Sequence, residues 1–324
     1  MVMNFKWLMG IAITLLFACN DEHTEYPAQV APESLLQPIL IVAHRGGMAY
    51  APENTVTAIE NGLRLNADAL ELDVQLQQNE FIALHDFSLD RTTNCSLPSV
   101  AADQNIIATC DAGYRWLPGA NAFSSGSGWP FFRGAGLRIP TLDDVFNAVS
   151  GKDVKLMIDL KHKNGPPGTV SLTEATDRLL GKIQQSELGS SVMLFSSSSF
   201  VLARTEAILP ETTTILSWGT GLKVPCTTIV LDAISRGFDG VALQVNRAGR
   251  AGVDFCARLV RDAGMFLVFW TVNSPETVER LLPLRPDAII TDFPACMVAL
   301  LHGIRISSPY PNIVGGQSLL PKCG

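Results

Sequence analysis

Four short stretches of this chain carry residue types suited to acid–base and phosphate chemistry: His44-Arg45-Gly46, Glu71-Leu72-Asp73, His85-Asp86 and Asp159-Leu160-Lys161. Imidazole titrates near neutrality, so His44 and His85 offer a proton acceptor and a proton donor for one reaction. Glu71 and Asp73, two apart on a strand, share a face, with Leu70, Leu72 and Val74 on the other. Two adjacent carboxylates repel and are costly to bury unless a cation intervenes. A bound divalent ion and a Lys or Arg side chain both answer that need, and both readings stand on this motif. Asp159 and Lys161 repeat the spacing and add a third carboxylate. An all-oxygen donor set favours a single hard divalent cation, Mg2+ or Ca2+, over zinc. Arg45 and Lys161 supply donors for phosphate oxygens.

The surrounding elements explain how such distant stretches could meet. Apolar runs at Ile39–Ala43, Ala69–Leu76, Lys155–Leu160, Val192–Phe195, Thr213–Ser217, Gly240–Val245, Phe266–Val272 and Ala288–Thr291 read as buried strands. A helix-like segment follows each, beginning near Thr55, Thr141, Ser171, Phe200, Cys226, Gly252, Ser274 and Ala295. Ser171 and Ser274 stand as capping residues ahead of acidic first turns. Parallel strands need a crossover helix each time, so strict alternation predicts a closed (β/α)8 barrel of the TIM type. Active-site residues of such barrels sit at the C-terminal strand ends, where all four stretches fall. Phe81–His85 breaks the alternation and reads as the returning arm of a hairpin on the second strand. Residues 87–139, rich in Gly, Ser and Pro, read as an insertion over the C-terminal face. Tyr114, Trp116, Trp129, Phe131 and Phe132 either form its own small core or line a substrate channel.

Composition bounds the rest. The formal charge of −7 argues against a nucleic-acid partner, which needs a basic surface. The apolar run Trp7–Ala18 follows Lys6 and is shorter than the roughly 20 residues needed to span a bilayer. Residues 1–19 therefore read as a signal peptide. Leu16-Phe17-Ala18-Cys19 resembles a bacterial lipobox, which makes Cys19 the lipidated membrane attachment and residues 20–37 a polar tether. The barrel is expected over 38–305, with 306–324 as a tail. The expected setting is periplasmic or cell-surface. Cys95, Cys110, Cys226, Cys256, Cys296 and Cys323 then suggest disulfides, Cys95–Cys110 first among them. Nothing in the sequence speaks to oligomeric state.

Taken together, Ala43-His-Arg-Gly46, Ala51-Pro-Glu-Asn-Thr55, Glu71-Leu-Asp-Val74, Leu84-His-Asp86 and Leu89-Asp-Arg-Thr-Thr93 resemble the glycerophosphodiester phosphodiesterase family. Ile139-Pro-Thr-Leu142, Asp159-Leu-Lys161, Phe269-Trp-Thr-Val-Asn273 and Ile290-Thr-Asp-Phe-Pro294 match in order and spacing. The resemblance implies metal-dependent hydrolysis of glycerophosphodiesters to sn-glycerol 3-phosphate and an alcohol. It implies His44 and His85 as the acid/base pair, and Glu71 and Asp73 as metal ligands. Asp159 stands where the family usually has Glu, one methylene longer. Arg45 and Lys161 match phosphate-binding cations, Trp270 an aromatic of the substrate pocket, and Glu53 a further member of the metal shell. Phospholipase D-type hydrolysis of lysophospholipids or sphingomyelin on the same fold is the nearest alternative. A non-catalytic phosphodiester-binding protein is a third, but binding alone needs no acid/base pair.

Overall fold

The computed structural model describes residues 38–99, 102–119, 131–163, 170–219, 222–246 and 250–304. The signal peptide, Cys19, the tether, Trp129, Cys323 and the tail beyond residue 305 lie outside the described residues. No helix among those described is long and apolar enough to cross a membrane.

Nine strands form one sheet: β1 (Leu40–Ala43), β2 (Ala69–Gln77), β3 (Glu80–Ala83), β4 (Lys155–Leu160), β5 (Val192–Ser196), β6 (Thr213–Trp218), β7 (Gly240–Gln244), β8 (Phe266–Trp270) and β9 (Ala288–Thr291). Their order is β1-β9-β8-β7-β6-β5-β4-β2-β3, and β1 also pairs with β2. Eight parallel strands therefore close into a barrel, and β3 lies antiparallel on β2 outside the ring. The helices are α1 (Val56–Arg64), α2 (Gln104–Thr109), α3 (Leu142–Val149), α4 (Leu172–Gln185), α5 (Ser199–Ile208), α6 (Cys226–Arg236), α7 (Arg250–Asp262), α8 (Pro275–Leu281) and α9 (Pro294–His302). All but α2 belong to the barrel: α1, α3, α4, α5, α6, α7 and α8 each lie on the connection from one ring strand to the next, and α9 follows the last. The (β/α)8 expectation holds strand for strand, and the short α2 inside the insertion was not expected.

Local chemistry fixes the helix starts. Thr55, Ser171 and Ser274 each accept a backbone N–H from the first turn, and Thr141 forms a reciprocal capping box with Asp144. Each such cap is worth about 1 kcal/mol. The strands alternate between two cores. Leu70, Leu72, Val74, Ile158, Leu194 and Leu243 pack outward under the helices. Val42, Ala69, Met157, Met193, Ile215, Ala242, Val268 and Ile290 fill the barrel's interior. The next inward positions, one step nearer the C-terminal ends, are polar on β2, β4, β6 and β7 (Glu71, Asp159, Ser217, Gln244) and aromatic on β5 and β8 (Phe195, Trp270).

The insertion has its own apolar cluster (Leu89, Ala102, Ile107, Ile139) and the disulfide Cys95–Cys110 anticipated from sequence. A second disulfide, Cys226–Cys256, ties α6 to α7 across 30 residues, worth about 3–4 kcal/mol on a loop-entropy basis. Trp116 packs edge-on against Phe132, and its indole N–H donates to the Met48 carbonyl at 2.8 Å. These two aromatics therefore anchor the insertion to the β1–α1 loop rather than lining the cavity.

Candidate active site

The β1–α1 loop begins the site. Directly after β1, His44–Gly46 makes a single 3-10 turn, with Arg45 left-handed at φ 51 and Gly46 at φ 83. A side chain at Gly46 would meet the Cβ of Ala58 at 2.8 Å, so only glycine lets the turn lie against α1. The turn presents the Arg45 backbone N–H to Glu71 Oε2 at 2.9 Å. Asn54 stitches the loop to β2, donating to Asp73 Oδ2 at 2.9 Å and accepting from the Asp73 amide at 3.1 Å.

Each histidine is backed by a carboxylate at Nδ1. His44 Nδ1 lies 2.5 Å from Asp292 Oδ1, and Asn273 Nδ2 donates to the other Asp292 oxygen at 2.7 Å. His44 Nε2 is 3.9 Å from Glu71 Oε2, on the cavity side. Burial works against the imidazolium, but the Asp292 carboxylate, helped by Glu71, outweighs it, and the His44 pKa rises. His85 Nδ1 lies 2.6 Å from Asp86 Oδ1. The loop carrying this pair is held by Gln75, whose amide donates to the carbonyls of Leu84 (2.9 Å) and Asp86 (2.7 Å).

Between the histidines lies a charged cluster. Asp73 and Asp159 face each other in register on β2 and β4, and Lys161 Nζ bridges them at 3.0 and 2.5 Å. Arg45 Nε is 3.2 Å from Asp73 Oδ2 but lacks hydrogen-bond geometry there. Although Asp73 is buried, Lys161 and Arg45 hold its carboxyl well below the usual range. Burial beside Asp73 pushes the Glu71 carboxyl up to about 7. Asp159 also goes up, because burial and Asp73 together outweigh Lys161. Two of the three carboxylates are thus short of positive charge.

Glu53 does not join them. Arg45 Nη1 donates to Glu53 Oε1 at 2.9 Å, while Arg91 grips both its oxygens at 2.6 and 2.9 Å and also bonds Asp86. With both oxygens bonded to guanidinium groups, Glu53 joins Arg45 to Arg91 and lies outside the cavity lining that the other expected residues share. As the side chains stand, no three His, Cys, Asp or Glu among the described residues are gathered as ligands of an ion. The chemistry of the donor set still fits one. Glu71, Asp73 and Asp159 are oxygen donors on adjacent strands, and their surplus negative charge is what a hard divalent cation neutralises.

These groups open on a cavity of about 490 Å3 at the C-terminal ends of the strands. His44, Arg45, Glu71, Asp73, His85, Asp159, Lys161 and Trp270 all line it, so eight of the nine residues expected from sequence share one space. Phe195, Ser217, Gly219 and Gln244 complete the opposite wall. Sequence reading passed over Asp292, Asp86, Arg91 and Gln244 as site residues. The Asp after His85 and the Asp closing Ile290-Thr-Asp were visible, but nothing in the sequence aimed them at an imidazole.

An eight-stranded parallel barrel with paired histidines and clustered carboxylates at its C-terminal mouth defines a hydrolase-type site, and the comparisons agree. A sequence model of the glycerophosphoryl diester phosphodiesterase family matches residues 44–296. The chain is 29% identical over 268 residues to a glycerophosphodiester phosphodiesterase of Caldanaerobacter subterraneus, covering 81% of this chain and 98% of that protein. It is 30% identical over 269 residues to one from Bacillus subtilis, covering 81% and 86%. An Oleispira antarctica phosphodiesterase, solved with its product sn-glycerol-3-phosphate, superposes with a TM-score of 0.65 at 19% identity, covering 82% of this chain and 98% of that one. The chain belongs to the glycerophosphoryl diester phosphodiesterase family and is an enzyme of the phosphoric diester hydrolase class.

Proposed function

We propose that this enzyme hydrolyses glycerophosphodiesters to sn-glycerol 3-phosphate and an alcohol, with His44 and His85 as its proton carriers. The observation that carries the reading is the pair of Asp-backed imidazoles on either side of one carboxylate and cation cluster. A carboxylate at Nδ1 fixes the tautomer, so the Nε2 atom of each ring is the one that exchanges a proton with substrate. One histidine accepts the proton of the glycerol 2-hydroxyl as its oxygen bonds to phosphorus, the other protonates the departing alkoxide, and water then opens the cyclic phosphate to glycerol 3-phosphate. Arg45 and Lys161 bind phosphate oxygens and offset charge that develops on them.

Glu71, Asp73 and Asp159 would hold a divalent cation, and the ion would supply Lewis-acid neutralisation of the phosphoryl oxygens. Lys161, now bridging two of these carboxylates, is thereby placed for a phosphate instead. The expected result is release of glycerol 3-phosphate from glycerophosphocholine by the chain starting at Asn20, with Mg2+ or Ca2+ and not with chelator. Equal turnover in chelator would remove the metal from this scheme. Turnover confined to acylated substrates would move the assignment to lysophospholipids.

The same reading places the enzyme outside the cytoplasm on a lipid at Cys19. The two disulfides support an oxidising compartment. Cys19→Ala is expected to abolish incorporation of labelled fatty acid in cells and release the enzyme from membranes; undiminished labelling would dismiss the lipid anchor.

A further inference from the structure

The cavity has two unlike halves. Every ionisable residue lining it comes from β1, β2, β4 or the loops after β1, β3 and β4, whereas β5 to β8 contribute Phe195, Ser217, Gln244 and Trp270. In the ring order β7 stands across the barrel from β2, so Gln244 faces the carboxylates from the far side. On that wall two buried polar atoms have no hydrogen-bond partner: Gln244 Oε1, an acceptor, and Trp270 Nε1, a donor. They belong to register partners on β7 and β8. Both side chains converge on Gly219, where an added Cβ would lie 2.3 Å from Trp270 Cζ2 and 3.4 Å from Gln244 Oε1. Phe195 packs edge-on against the indole at 5.9 Å and fixes its plane.

A buried donor and acceptor left unmet are costly, so such a corner favours an occupant that serves both. A hydroxyl does, accepting from the indole N–H and donating to the amide oxygen. If the amide is turned over, its nitrogen donates and a hydroxyl still accepts. A quaternary ammonium can do neither, and among the described residues this wall holds no carboxylate to balance its charge, leaving only the Phe195 and Trp270 rings to attract it.

We propose that Gln244 and Trp270 form a hydroxyl-binding subsite that selects diesters whose leaving alcohol is an uncharged polyol. The inference rests on the hydrolase reading above and adds a substrate class to it. Hydroxyls of the glycerol half common to all these substrates share this chemistry, and the test separates the two sources.

The experiment compares glycerophosphoglycerol with glycerophosphocholine in the wild type, Gln244→Leu and Trp270→Phe, the last keeping an aromatic ring while losing the indole N–H with the rest of the pyrrole. The wild-type kcat/KM is expected to favour glycerophosphoglycerol by about tenfold or more, and each variant to reduce that ratio about tenfold, as one hydrogen bond accounts for. A wild type that hydrolyses the choline diester equally well overturns the proposal. So do variants that slow both substrates alike, because the pair would then grip the common glycerol half or merely pack. If neither diester is hydrolysed, the activity reading has failed, and calorimetric Kd values for the same two compounds decide this one. Tighter glycerophosphoglycerol binding that Gln244→Leu erases sustains it; equal Kd values, or no binding, overturn it.

Discussion

Replacing His44 or His85 by alanine is expected to abolish turnover, with Asp292→Asn costing about 10^2–10^4-fold in kcat at nearly unchanged KM. The two alanine variants remove a proton carrier outright, an effect typically worth several orders of magnitude. Asp292→Asn is the sharper test. The side chain is fully buried, accepts from Asn273, and lies 2.5 Å from His44 Nδ1. An amide of the same shape there offers the imidazole a donor or a neutral acceptor, so the ring loses both the tautomer lock and its charge partner. Asp86→Asn is expected to cost less, because Asp86 is partly exposed and water can take over at His85 Nδ1. Steady-state kinetics on glycerophosphocholine, with thermal melts to verify folding, check all four. A kcat for Asp292→Asn within twofold of wild type would remove Asp292 from the mechanism.

Lys161→Met is expected to impair the enzyme in a second way, by destabilising it in chelator by about 3–5 kcal/mol, the usual consequence of stripping one partner from a buried charge group. Asp73 and Asp159 would then face each other across the β2–β4 pair with Lys161 gone. A divalent ion added back is expected to recover much of the lost stability, because it supplies the missing charge where the ammonium stood. Activity is expected to stay low even so, since the proposed scheme uses Lys161 to bind a phosphate oxygen. Melting curves with chelator, Mg2+ and Ca2+ read this directly. Equal melting temperatures for wild type and variant in chelator would mean the carboxylates relieve their repulsion by taking up protons.

The barrel was legible because its strands are buried on both sides and therefore appear as apolar runs, each followed by a helix, with side-chain caps marking the starts of α1, α3, α4 and α8. Where the sequence misled, the cause was local. β2 continues to Gln77 because Gln75 and Gln77 point up to hold the Leu84–Asp86 segment and Ser99 of the insertion, partners that hydropathy does not register. β8 ends at Trp270, ahead of a cis Trp270–Thr271 peptide, though the apolar run continues to Val272. In the site, residues two apart on one strand were readable as neighbours, which is why Glu71, Asp73, Asp159 and Lys161 were found together. The His44–Asp292 contact joins residues 248 apart, and no periodicity reports on such a pair. The Glu53–Arg91 pair is equally silent in sequence, because Arg91 lies on the insertion, 38 residues away.

The antiparallel β3 bears on how a preparation of this enzyme should be judged. His44 follows a strand of the closed ring, whereas His85 follows an appendage whose one strand partner is β2, with a single further bridge from Ile82 to Thr141. That appendage is secured by the Gln75 amide, the Arg91 guanidinium and a region braced by the Cys95–Cys110 bond. Reducing that bond or nicking the chain nearby is expected to displace His85, a proton carrier in the proposed scheme, while the eight ring strands stay closed. A sample can therefore unfold as one cooperative barrel and still be inactive, and active-site titration alongside a melting curve is the proper certificate of quality.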